Sequence, residues 1–506
     1  MVLKSHLLLL LPSTVLLSAI TTVASKCAAG VLPTPSVFGA SVLTLDAVES
    51  TLESTSIDFC NVTLTYTHPG QSDLIKVWLG LPNAWNGRFQ GVGGGGWVTG
   101  FPSEMVSAIS QGYAAVSTDG GHDGFGEIAD SWALNSPGNV DLYALQNFAS
   151  VALNDMTVLG KQLTEAYYGN PISKSYWSGC STGGRQGLML AQRYPGTYDG
   201  ILAQAPAVNW EFIAAMFWPQ WIMQQIGYFP PQCELDAITT AATIACDELD
   251  GLKDDIIGLT GQCDFDPSTV VGQEYACSNV TGAISKEAAE IVRKTWRGAT
   301  NAEGVLQFPG IAPGSPLGGI VGTTCDASGV CTGKPFLITT DWHRLFIQKD
   351  PNFDPYNYTR AGWDASFHAS VQQYTSIIGT SDPDLSEFKN SGGKMITWHG
   401  MADQLIPFNS TVHYYNRVLG LDVNTTDFYR FYSAPGVDHC RGGLGAAPTD
   451  PLAELVSWVE DGKAPQTLAA NRTVNGTGWK KELCLFPLSS IYKGGDPAVA
   501  SSYLCE

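Results

Sequence analysis

Positive charge is scarce in this sequence. Only 27 residues of 506 are Lys or Arg, against 47 Asp or Glu, giving a formal net charge of −20. So acidic a surface repels phosphate backbones and anionic bilayers, which excludes nucleic acid and charged membranes as partners. Solubility in a secreted or acidic setting is the plain reading of that charge. Long apolar runs are lacking too. Past the first two dozen residues no stretch approaches the roughly eighteen apolar residues of a bilayer span, so no transmembrane anchor is expected. Internal repeats and low-complexity tracts are absent, which sets repeat architectures aside.

What is present places the chain outside the cytosol. Lys4, the apolar run from Leu7 to Ile20 and the small residues Thr22-Val23-Ala24 compose a signal peptide over 1–24, with a mature chain from about Ser25. Twelve cysteines suit an oxidising compartment. Local spacing favours Cys325 with Cys331 and Cys246 with Cys263, then Cys27 with Cys60, Cys233 with Cys277 and Cys484 with Cys505, although parity alone does not fix connectivity. Sequons at Asn61, Asn279, Asn357, Asn409, Asn424, Asn471 and Asn475 predict a glycosylated surface.

The hydrophobic pattern predicts strands at Val77 to Pro82, Arg88 to Gly93, Ala114 to Asp119, Tyr176 to Gly179 and Ile201 to Pro206, with helices at Ser103 to Gln111 and Ala152 to Tyr168 between them. That alternation is the signature of a mostly parallel sheet with crossover helices. From about 208 to 390 the rhythm fails, and it resumes with strands at Lys394 to His399 and Phe428 to Ala434 and a helix at Leu452 to Asp461. The expected class is α/β: an α/β-hydrolase fold whose catalytic domain, 25–207 and 391–506, is interrupted by a large inserted lid domain over 208–390.

Within that frame Gly179-Cys180-Ser181-Thr182-Gly183 fits a nucleophile elbow, a sharp strand-to-helix turn that only small neighbours allow. The Thr182 N–H then opens a helix and can point at an oxyanion. A second donor is expected from Gly93-Gly94-Gly95-Gly96, with Gly94 and Gly95 at its centre, because this fold uses a glycine-rich loop there. The same loop matches a dinucleotide fingerprint, Gly91-x-Gly93-x-x-Gly96, with Asp119 downstream. Pro102 interrupts the segment where that fingerprint needs a helix, so no organic cofactor is expected.

Chain order in this fold runs Ser, acid, His. His439, on a loop after the strand ending at Ala434, is the expected base, whereas His413 falls within a helix and reads as a surface or packing residue. Asp403, just past a strand's carboxyl end, is the expected acid; Asp438 is too close along the chain to reach Nδ1 of its own neighbour. Asp247, Asp250 and Asp254 surround Gly251, and carbonyls of Leu252 and Ile256 alternate with them, which suits either a hard cation or a solvated acidic turn. Phe217-Trp218-Pro219-Gln220-Trp221 suits the lid core or, less simply, an aromatic substrate wall.

Taken together, Gly179-Cys180-Ser181-Thr182-Gly183-Gly184-Arg185-Gln186-Gly187, His399-Gly400-Met401-Ala402-Asp403 and His439-Cys440 resemble the tannase and feruloyl esterase family of fungal secreted esterases, and the similarity extends over nearly the whole mature chain. The resemblance implies hydrolysis of phenolic-acid esters, on small molecules or polysaccharide, and a disulfide joining Cys180 to Cys440 that ties nucleophile to base. It also implies a structural Ca2+ held in the lid by Asp247, Asp250, Leu252, Asp254 and Ile256. Tannase-like Pro230-Pro231-Gln232-Cys233-Glu234-Leu235 coexists with feruloyl-esterase-like Asp341-Trp342-His343-Arg344, so the acyl group stays open. A nucleotide-dependent oxidoreductase, a carbohydrate-binding protein and a serine peptidase of the same fold are the competing classes.

Overall fold

The computed structural model describes residues 26–506 except 54, 123–125, 127, 278 and 279, so the expected signal peptide and the Asn279 sequon lie outside the described residues. A nine-stranded sheet organises the chain: β1 (Ser41–Leu52), β2 (Ile57–Thr67), β3 (Ile75–Pro82), β4 (Arg88–Val92), β5 (Ala114–Thr118), β6 (Lys174–Cys180), β7 (Gly200–Gln204), β8 (Lys394–Gly400) and β9 (Tyr429–Ala434). Their spatial order is β1-β2-β3-β5-β4-β6-β7-β8-β9. The pairs from β1 to β3 and between β3 and β5 are antiparallel, and every pair from β5 to β9 is parallel. Strands covered on both faces read as unbroken apolar runs, and Ala114–Thr118 is buried at every position.

Helices α1 (Met105–Ser110), α2 (Ala152–Tyr168), α3 (Thr182–Arg193), α4 (Phe408–Leu421) and α5 (Pro451–Asp461) flank the sheet. Their ends follow local chemistry. α2 stops at Gly169 with φ 68°, and α5 starts where the Asp450 carboxylate accepts the Ala453 N–H and stops at Gly462 with φ 72°. One apolar cluster, including Leu64, Trp177 and Phe431, and a second, including Tyr176, Trp398 and Trp458, make up the sheet's core.

β7 and β8 are hydrogen-bonded neighbours although nearly two hundred residues separate them in sequence, and among the described residues no strand of the intervening segment joins the nine-stranded sheet. The longest helices of the insert are Gln232–Cys246, Lys286–Arg297 and Arg360–Ile378, and among its described residues the strands form two-stranded ribbons. Its hydrophobic core is not private. Trp97, Trp132 and Phe148 of the catalytic part pack into the same cluster as Trp210, Trp221, Trp342 and Trp363. Phe217, Trp218 and Trp221 are buried in that cluster, which makes the aromatic stretch core and not a substrate wall. Disulfides join Cys27–Cys60, Cys180–Cys440, Cys246–Cys263, Cys325–Cys331 and Cys484–Cys505. Cys233 is also disulfide-bonded, while the side chain of Cys277, its expected partner, lies outside the described ones.

Candidate active site

Ser181 stands between β6 and α3 with φ 63° and ψ −119°, a conformation that costs a non-glycine residue free energy and persists only when its surroundings enforce it. Its N–H donates to the Gln204 carbonyl at 3.0 Å, and its own carbonyl accepts from the Arg185 and Ala207 N–H groups at 3.0 and 3.2 Å. The turn closes so tightly that a Cβ on Gly179 would lie 2.7 Å from the Gly183 Cα. Glycine is therefore required there.

The Gly93–Gly96 loop is bound to the start of α3. Gly183 N–H donates to the Gly94 carbonyl (3.1 Å), and the Thr182 hydroxyl donates to the Gly96 carbonyl (2.8 Å). Thr182 is the first residue of α3, so its amide has no acceptor within the helix. The loop amides correct a sequence expectation. Gly94 N–H donates to Gln186 Oε1 (3.1 Å) and Gly95 N–H to the Val98 carbonyl (3.1 Å), so neither is available to an oxyanion. Gly93 N–H is likewise used, on the Ser178 carbonyl, and among the described residues the Gly96 amide alone of the four makes no hydrogen bond.

Asp403 and His439 meet from neighbouring strand ends. Asp403 Oδ2 lies 2.7 Å from His439 Nδ1, while Oδ1 accepts the Leu405 and Ile406 N–H groups at 2.9 and 2.8 Å. Burial pushes the Asp403 carboxyl up, but His439 and His399 beside it outweigh burial and hold it well below the usual carboxylate range. Gln404 Oε1 accepts the His439 backbone N–H (3.0 Å), and the Gln404 carbonyl accepts the N–H of Ile320 from the insert (3.3 Å). The Cys180–Cys440 disulfide, with Cα atoms 5.9 Å apart, joins the residue before Ser181 to the residue after His439. Among the described residues neither Ser181 Oγ nor His439 Nε2 has a hydrogen-bond partner. His413 is exposed on α4, and Asp438 does not bond His439.

His399 was not foreseen as part of this group. Its Nε2 lies 3.0 Å from the same Asp403 Oδ2. The only signal in the sequence is its position four residues before Asp403.

A cleft of about 360 Å³ opens between insert and sheet domain beside these loops. Ile256, Pro313 and Pro316 line it from the insert, and Met401, Ala402 and Asp438, each one or two residues from the acid or base, from the other side. The two segments whose sequences pointed to different acyl groups are structural. Asp341 accepts the Ala129 N–H (2.7 Å) and pairs with Arg344, which also grips Asp130; Glu234 is buried between the Ser285 N–H and the Tyr228 hydroxyl, both at 2.6 Å.

At the expected calcium loop, Asp247 accepts the N–H groups of Asp254, Asp255 and Ile256, and Asp250 accepts that of Leu252. Asp254 Oδ2 pairs with Arg472 (2.5 Å) and Lys481 (3.3 Å) from the C-terminal hairpin Thr467–Val474/Thr477–Cys484. Among the described residues no three His, Cys, Asp or Glu side chains gather around one point as a metal cage. The donor set is nevertheless hard oxygen throughout, and Asp254 Oδ1 is buried with no partner. Burial pushes Asp250 up to about 6, with the Asp254 and Asp247 charges adding to it. The orphaned Asp254 oxygen is what a hard cation would satisfy, while Arg472 and Lys481 already balance part of the negative charge around it.

The sequence model of the family described as Tannase and feruloyl esterase matches residues 60–506. The chain is 40% identical over 494 residues to a probable feruloyl esterase of Arthroderma benhamiae, covering 93% of this chain and 92% of that protein. It is 32% identical over 470 residues to a probable feruloyl esterase B-2 of Aspergillus fumigatus, covering 87% and 84%. Among solved structures, the tannin acyl hydrolase from Aspergillus niger superimposes with a TM-score of 0.85 at 28% identity over 95% of both chains, and feruloyl esterase B from Aspergillus oryzae with 0.78 at 26% over 93% and 97%.

Proposed function

The chain belongs to the tannase and feruloyl esterase family and is a carboxylic ester hydrolase, and on that premise we propose that it frees hydroxycinnamic acids such as ferulate from plant cell-wall esters with Ser181 as nucleophile, His439 as base and Asp403 as the acid that orients it. The 2.7 Å contact between Asp403 Oδ2 and His439 Nδ1 carries the assignment of roles, because it leaves Nε2 as the nitrogen that takes a proton.

In this reading Ser181 Oγ attacks the ester carbonyl and His439 Nε2 takes its proton. The oxyanion lies against the amides of Thr182 and Gly96. His439 returns the proton to the leaving alcohol, and water repeats the sequence on the acyl-enzyme to free the acid. Asp247, Asp250 and Asp254, with the carbonyls of Leu252 and Ile256, would hold a Ca2+ ion, which would supply structure and not chemistry. The protein is secreted, and its exposed sequon residues Asn357, Asn409, Asn424, Asn471 and Asn475 are open to glycan attachment.

Ferulate is favoured over gallate by the 40% identity to a protein named probable feruloyl esterase. The second reading, a galloyl esterase, draws on the 0.85 TM-score to a tannin acyl hydrolase. Acid release from matched methyl esters of ferulate, p-coumarate, caffeate and gallate, by wild type and Ser181→Ala, tests both. We expect hydroxycinnamates to lead and Ser181→Ala to lose several orders of magnitude in kcat. Faster release of gallate overturns the acyl assignment; undiminished hydrolysis by Ser181→Ala overturns the nucleophile.

A further inference from the structure

Asp403 receives four hydrogen bonds. Oδ1 takes two backbone N–H groups, and Oδ2 is shared between two imidazoles, His439 Nδ1 at 2.7 Å and His399 Nε2 at 3.0 Å. His399 is the last residue but one of β8 and has no solvent exposure. Its Nε2 faces two acceptors, Asp403 Oδ2 and the Ile406 carbonyl at 3.2 Å, so that nitrogen carries the proton. Its Nδ1 lies 2.8 Å from the Thr411 hydroxyl of α4, which has no other partner among the described residues and is free to donate to it. A neutral imidazole with Nε2 protonated satisfies every contact. An imidazolium there would neutralise the charge that Asp403 must offer to His439.

We propose that His399 is a positioning residue of the triad: held as the neutral Nε2–H tautomer by Thr411, it shares Oδ2 of Asp403 with His439, fixes the carboxylate's rotation and limits how tightly the carboxylate holds the protonated base. This rests on the roles given to Asp403 and His439 above. The titratable groups facing the cluster are Asp403, His399, His439 and Asp438. Among the described residues α4 contributes Thr411 and the Phe408 ring, 5.8 Å from His399, and the insert contributes the uncharged Gly319–Ile320 backbone against Gln404. Remove the His399 donor, and the charge on Oδ2 falls on His439 alone. His439 then keeps its proton to higher pH and returns it less readily to the leaving alcohol.

The experiment compares two amides in the full chain. In His399→Gln the amide nitrogen reaches the place of Nε2 and the Asp403 bond; in His399→Asn the amide stops near Nδ1 and reaches only Thr411. With methyl ferulate, His399→Asn is expected to lower kcat about tenfold with KM within about twofold, and to move the acid limb of kcat/KM up by about half a pH unit or more. His399→Gln is expected to recover most of the rate and the wild-type limb. Equal behaviour of the two amides, or a lowered Tm in both with the limb unmoved, overturns the proposal. Should His399→Asn fail to fold, Thr411→Val takes its place: a smaller rise of the same limb supports the proposal, and an unmoved limb overturns it. Failure of the underlying reading is seen separately, as Ser181→Ala hydrolysing like wild type, and takes this inference with it.

Discussion

Cys180 and Cys440 are bonded to each other 260 residues apart in sequence, and Ser181 and Cys440 adopt nearly the same left-handed φ, 63° and 62°. Neither is glycine, so both turns hold unfavourable backbone geometry next to the reacting groups. The disulfide opposes the relaxation of either. In the chain-entropy view, closing so long a loop stabilises the fold by about 5 to 6 kcal/mol. The Cys180→Ala/Cys440→Ala double variant should therefore melt about 5 °C lower by calorimetry. It should also lose at least about tenfold in kcat with little change in KM, because orientation, not binding, is impaired. Wild-type kcat in that variant would show that the tether is dispensable to the chemistry.

The amides of the glycine loop separate two substitutions that the sequence makes look alike. A Cβ on Gly95 meets nothing closer than Phe101 at 3.7 Å, and the Gly95 amide is already spent on Val98. A Cβ on Gly96 would lie 2.0 Å from the Gly126 carbonyl oxygen, and its φ of 57° disfavours a side chain. Gly95→Ala is expected to keep kcat within about threefold, while Gly96→Ala should cost about a hundredfold or more, the loss of one oxyanion donor. The reverse order would move the second donor back to Gly95.

These contrasts mark what was legible in the sequence. The elbow was legible because its turn admits only small residues around one serine, and Asp403 and His439 followed from chain order. α2 was readable to the residue because its apolar spacing runs unbroken to Gly169. The donor amide was not readable, since it depends on where the Gln186 side chain and the Val98 carbonyl happen to reach. His399 depends on the packing of α4 against β8, which no local spacing encodes. β1 is a sheet edge exposed at many positions on both faces, so it lacks the alternation that marks a half-buried strand.

Burial sets a pH dependence away from the triad. Glu211, with no solvent exposure, has Oε2 without a partner, and burial pushes its carboxyl up to about 7 despite Ser381 and the charge of Arg185. A carboxyl raised on folding stabilises the native state below its unfolded value of about 4.3 and forfeits that stability as pH rises through the folded value. Wild type should accordingly lose up to about 3 kcal/mol between pH 4.5 and 8 from this group. Glu211→Gln keeps the shape without the charge and should flatten that decline. Parallel Tm–pH curves for the two proteins between pH 5 and 8 would contradict the assignment.

Removal of divalent cations tests the loop around Gly251. Without a cation, Asp247, Asp250 and Asp254 confront one another, and the counter-charges among the described residues, Arg472 and Lys481, both pair with Asp254. The hairpin that carries them is one link between this loop and the sheet domain, so loosening one end should loosen the other. Treatment with EDTA is expected to lower Tm by several degrees, and Ca2+ should restore it while Mg2+, which demands a tighter octahedral shell, does so poorly. Asp254→Asn should start from the lowered Tm and respond little to either ion, because it removes one carboxylate from the cation and the anchor of Arg472 together. The Ser181 chemistry lies elsewhere, so kcat at a temperature well below melting should survive chelation. A kcat that falls with chelation while Tm holds would mean that the cation acts at the reacting centre, contrary to the structural role given to it here.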